Sequence, residues 1–122
     1  MGSTFFVSAD RETGAAWTFT DDELSACVSR LWPDSRMSSS GGILELDIQE
    51  FDRVHPFAWQ TEHRVLTFPD QDPLEGAARI VHQLLHELAG DVPAVWWADY
   101  DATPEPVDLT MDPDDFAREF GS

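Results

Sequence analysis

The sequence predicts one α+β domain over residues 1–122, a two-layer sandwich. A mostly antiparallel sheet carries two main helices on one face, and a short helix follows near the C-terminal end. Three observations lead there. Two segments repeat apolar residues at helical spacing behind clear start signals. The other apolar segments are short, and one alternates with charge as a half-buried strand does. With 122 residues, 42% of them hydrophobic, the chain suits a single core and shows no internal repeat or linker.

Taken in order, Phe5-Phe6-Val7 and Ala16-Trp17-Thr18-Phe19 flank a charged turn with Gly14, which predicts a hairpin. Thr20-Asp21-Asp22-Glu23 is a capping box, with Phe19 and Leu24 placed for a hydrophobic staple. Leu24, Cys27, Val28 and Leu31 continue at helical spacing to Pro33, so the first helix is expected at about 21–32. The segment 34–42, DSRMSSSGG, is expected to be a flexible loop. Leu44, Leu46 and Ile48 alternate with Glu45 and Asp47, a strand with an acidic outer face. Phe57-Ala58-Trp59 is a shorter strand, and Val65, Leu66 and Phe68 form another.

The second helix is expected at about 73–89, with Asp72 as N-cap and Pro73 in the first turn. Leu74, Ala77, Val81, Leu84, Leu85 and Leu88 share one face, and Gly90 is its stop. Val95-Trp96-Trp97-Ala98 is a strand, Val107 and Leu109 a short edge. Asp112-Pro113-Asp114-Asp115 opens a short helix that carries Phe116 and Phe120. The resulting order, β-β-α-β-(β)-β-α-β-(β)-α, contains βαββαβ and so resembles the ferredoxin-like arrangement.

Charge narrows the function. There are 24 acidic residues against seven Arg and no Lys, a net charge of −17. Direct binding of nucleic acid or of an anionic membrane is disfavoured, because little here can replace phosphate counterions. A GC-rich genome or a halophile's surface also yields such acidity, which speaks to solubility before function. Cys27 is the single cysteine, so no intrachain disulfide forms. Met1 to Asp10 does not read as a signal peptide, and no apolar run is long enough to span a membrane. A cytoplasmic protein is the expectation.

Recognisable chemistry is scarce. His82 and His86 are four apart on the second helix, but H-x-x-x-H-E matches no zinc-protease pattern. His55 and His63 could join them only through the fold. Cys27 lies on an apolar helix face, where a thiol is inert. Ser38-Ser39-Ser40 precedes Gly-Gly without a G-x-S-x-G or P-loop context. Asp99-Tyr100-Asp101 and Asp112 to Asp115 lack EF-hand spacing. No catalytic residue, cofactor or metal ligand is assigned.

Two features point elsewhere. Trp96 and Trp97 are neighbours on a strand, so they face opposite sides of the sheet. Residues 91–122 hold nine acids and one Arg, net −8, against net −9 for residues 1–90. In composition the chain is similar to small inhibitor and immunity proteins that neutralise basic toxins. That similarity transfers no residues. The expected function is a non-enzymatic acidic binding module of that type, docking on a basic protein partner through Trp96, Trp97, Asp99, Asp101, Glu105 and Asp108. The alternative is a ferredoxin-like domain that forms a homodimer through its sheet and binds a small ligand or carries out chemistry there. A metal-dependent protein using His82 and His86 is the third.

Overall fold

A computed structural model describes residues 4–50, 52–69 and 74–120, without the side chains of 101 and 102. Along the chain come β1 (Thr4–Ala9), a 3-10 turn at Arg11–Thr13, α1 (Asp21–Leu31), β2 (Arg36–Ser40), β3 (Ile43–Glu50), β4 (Arg53–Gln60) and β5 (Val65–Pro69). Then follow α2 (Leu74–Ala89), β6 (Ala94–Ala98), β7 (Asp101–Val107) and α3 (Pro113–Phe120). The fold is α+β. Its one sheet has seven strands in the order β2-β3-β4-β5-β1-β6-β7, all neighbours antiparallel. This sheet is larger than expected, and four strands separate α1 from α2 where a βαββαβ unit has two.

The expected hairpin between 5–7 and 16–19 does not form. Both edges of β1 are taken, by β5 on one side and β6 on the other, so no edge remains for a third strand. Residues 16–19 run as irregular chain and contribute side chains instead. Trp17 and Phe19 are buried, with ring centroids 5.8 and 5.0 Å from that of Trp59. The expected loop at 34–42 is also corrected. Residues 36–40 form β2, joined to β3 by Gly41-Gly42, both left-handed at φ 59 and 82. Two consecutive positive φ values are what a tight hairpin needs, and glycine adopts them without a Cβ clash.

The first helix starts as its sequence implies. Thr20 Oγ1 accepts from the Glu23 amide at 3.1 Å, and Glu23 Oε1 accepts from the Thr20 amide at 3.2 Å. The expected cap of α2 at Asp72-Pro73 lies outside the described residues. All of Leu44, Leu46, Ile48, Phe57, Trp59, Leu66, Phe68, Phe5, Val7 and Ala94 point into one core with α1, α2 and α3. β4 is longer than the three residues expected and carries Pro56 in its interior. Its ladder to β5 runs only from Ala58–Thr67 to Gln60–Val65, so Pro56 meets no demand for an N–H from that side.

α3 closes the open end of this core. Phe120 lies 4.3 Å from Trp96 and 5.5 Å from Phe5 between ring centroids, and Phe116 lies 5.2 Å from His82. The helices therefore share one side of the sheet. No helix among the described residues is long and apolar enough to cross a membrane.

Candidate interaction surface

Because side chains alternate along a strand, the sheet's other face is fixed by register. One row across it runs Ser38, Glu45, Ala58, Thr67, Phe6 and Trp97, each opposite the next. Phe6 and Trp97 stack, with centroids 5.5 Å apart and planes 11° from parallel. Both are half-buried and neither belongs to the core cluster. Val95, opposite Ser8, extends the apolar patch, while Asp47 and Glu45 are exposed further along. Val54 and Ile43 on the same face are exposed at 56% and 41%.

The six residues expected to bind a partner fall in different places. Trp97 is on this helix-free face, and Asp99 follows it in the turn to β7. Trp96 is on the opposite face, under Phe120 of α3, and Glu105 is exposed opposite it on the edge strand. The side chain of Asp101 lies outside the described residues. Asp108 sits beyond the far end of β7. Its carboxylate accepts from Thr110 Oγ1 at 2.5 Å and from the Thr110 amide at 3.0 Å. These bonds, the hydroxyl's first, hold the Asp108 carboxyl below the ordinary aspartate range.

Arginine, the only cation type, is largely committed within the chain. Arg30 bridges Glu87 at 3.0 Å, and Arg79 bridges Glu50 at 2.6 Å and Asp114 at 3.5 Å. Arg118 pairs with Asp115, and Arg11 and Arg64 donate to the carbonyls of His63 and Phe19. With seven Arg for 24 acids, most carboxylates have no cation to pair with. The Glu50–Arg79 pair matters most, because Glu50 is buried and a lone carboxylate there would be strongly destabilising. Its bond to Glu50 raises the Arg79 guanidinium's affinity for its proton further.

On the helix side lies a cleft of ≈ 860 Å³ between the end of α1, the end of β3, α2 and residues 109–113. Trp32, Leu31, Leu109 and Met111 supply apolar wall, and Asp34, Glu50, Glu87 and Asp112 supply carboxylates. His82 and His86 both line it. His82 is buried at 1%, deeper than the edge position its helical spacing implies, and its Nε2 lies 3.0 Å from the Asp108 carbonyl. A carbonyl only accepts, so Nε2 carries the hydrogen. The other ring nitrogen, Nδ1, is buried without a partner. Among the described residues no group of three or more His, Cys, Asp or Glu is placed to hold a metal. Cys27 is buried, and desolvation pushes its thiol pKa up against the opposing pull of Arg30.

Sequence reasoning did not reach Phe6, Asp34 or Glu50 as site residues. Phe6 reads as one strand residue among three, and only the β1–β6 register brings it to Trp97. No protein-family model, curated protein or solved structure matches this chain.

Proposed function

We propose that this chain is a non-enzymatic acidic binding protein that docks on a basic protein with the helix-free face of its sheet. The stacked Phe6–Trp97 pair carries the reading. Two large aromatics stand off the core on a face that none of the described helices packs against, with Asp99 beyond one end and Glu45 and Asp47 on β3 of the same face. Aromatic anchors that share a face with carboxylates suit a cationic surface: carboxylates steer the encounter, and the indole offers a face to Arg or Lys. An inhibitor or immunity-type role fits the same chemistry. In this reading Trp97 and Asp99 form the centre, Glu105 and Asp108 add field at the edge, and Trp96 supports the sheet from behind. We also read β6-β1-β5-β4 with α1 and α2 as a ferredoxin-like unit enlarged by β2, β3 and β7.

A second reading draws on the same aromatic pair, a homodimer through this face that binds a small ligand. Pairing two copies would bring Glu45 and Asp47 of each toward the other, at net −17 per chain, which favours the oppositely charged partner. Light scattering separates the two, since the homodimer would persist at low salt. For the first reading, a lysate of the source organism passed over the immobilised chain is eluted with rising salt. A basic protein released in stoichiometric amount is the expected result. An eluate without one contradicts the proposal.

A further inference from the structure

The two edges of the sheet are built differently. β7 carries Pro104 and Pro106, which have no N–H to offer a further strand, and its register to β6 shifts between Trp96 and Ala98. Proline and irregular pairing are ways in which natural sheets close an edge. β2, at the other end, has neither. Its five residues pair with β3 in unbroken register, and among the described residues no strand lies beyond it. Arg36 and Ser38 to Ser40 are exposed, and Met37 is half-buried. No acidic residue occurs from 35 to 44, in a chain that carries 24. Hydrogen bonding along β2 alternates outward from the two-residue loop at Gly41-Gly42. Ser40 and Ile43 flank that loop as a hydrogen-bonded pair, so Ser38 and Arg36 bond to β3 as well. Met37 and Ser39 therefore turn their N–H and C=O groups away from the sheet. They stand one residue to either side of Ser38, which makes the edge complementary to itself.

We propose that β2 is a self-association edge, pairing antiparallel with β2 of a second copy of this chain about a two-fold axis at Ser38. Met37 of each copy exchanges both hydrogen bonds with Ser39 of the other, so every outward group of these residues is satisfied. The axis stands perpendicular to the sheet and keeps the helices of both copies on one side. Charge allows the approach. Arg36 lies directly opposite Asp47 within each chain, and Glu45 lies directly opposite Ser38. The row Glu45–Ser38 of one copy continues as Ser38–Glu45 of the other, so the nearest carboxylates in it are three strand spacings, or roughly 14 Å, apart. That exceeds the Debye length of about 8 Å at physiological salt. A basic strand would gain little here, because the only charge on β2 is that of Arg36. Pairing one short edge buries less than the roughly 1,200 Å² of stable interfaces, so the dimer is weak and depends on concentration. The proposal does not rest on the helix-free face: β1 and β6, with Phe6 and Trp97, lie four and five strands away.

Sedimentation equilibrium of the full chain tests it, over a range of concentrations in sodium chloride at about 0.01 M and about 1 M. The Debye length falls between these from about 30 to about 3 Å. A monomer is expected at low salt. At high salt the average mass should rise with concentration from 13.7 kDa toward twice that value. Amide exchange at high salt should slow with concentration at Met37 and Ser39 and stay constant at Ser38, which is bonded within its own chain. Ser39→Pro removes an outward N–H without touching the ladder to β3, and should weaken association about tenfold or more. Ser38→Glu keeps the backbone intact, sets like charges face to face and should weaken association several-fold, which decides the matter if the proline variant fails to fold. A monomer under all conditions, a dimer that loosens as salt rises, or one that withstands Ser38→Glu with no protection at Met37 and Ser39 would overturn the edge. A chain that stays monomeric yet retains a basic protein from the lysate would strike this proposal alone and leave the docking face standing.

Discussion

Gly76 of α2 faces His55 of β4. A Cβ added there would stand 2.6 Å from His55 Cε1 and 2.9 Å from its Nε2. His55 is buried on the inner side of β4, so its ring has little room to retreat. In Gly76→Ala, overpacking costs roughly 1–3 kcal/mol and helix propensity returns about 1. Crowding wins, and the urea midpoint should fall by the equivalent of about 1 kcal/mol; a rise would mean that the ring moves freely. Asp108 gives a pH prediction. Its carboxyl is held below the ordinary value by Thr110, so the bonds of the 108–111 turn are fully formed above the usual aspartate range. They are lost as pH falls through the lowered value. Carboxyl carbon-13 titration should place Asp108 below the ordinary aspartate range, and Thr110→Val should return it upward. A normal midpoint in the native chain would contradict the geometry.

At the scale of elements, α3 is held by aromatic contact. Phe120 meets Trp96, Phe5, Phe68 and Phe116, with centroids between 4.3 and 6.1 Å. Phe120→Ala should cost about 2–3 kcal/mol, less than a fully buried phenylalanine because this one is half-buried. The tryptophan emission should move to the red as Trp96 is uncovered, and an unmoved spectrum would mean that α3 docks by other means. Local signals were readable here. The Thr20–Glu23 box and the apolar stripe of α2 act within a few residues, so sequence alone locates both helices. Strand partners are set at long range. Trp17 and Phe19 look like a strand because they are apolar and alternate, yet nothing local reports that both edges of β1 are occupied. β2 escapes notice because Ser38, Ser39 and Ser40 offer no apolar face, although Gly41-Gly42 is the turn that announces it.

For the whole molecule, charge was legible and its placement was not. Composition yields −17, and an adjacent Trp pair implies two faces, but which tryptophan faces away from the helices is set by strand register and by α3 returning over Trp96. The carboxylates of the cleft come from Asp34, Glu50, Glu87 and Asp112, too far apart in sequence to suggest one another. The central question is whether the molecule's acidity serves a particular surface or merely keeps it soluble. The most direct measurement compares capture from the source lysate by the native chain and by a Phe6→Ser, Trp97→Ser variant whose net charge is the same. If the aromatic face anchors a basic partner, the native chain retains a stoichiometric basic protein and the variant loses it while staying folded. If both retain the same proteins in the same amounts, the chain acts as a bulk polyanion and the proposed docking face is wrong.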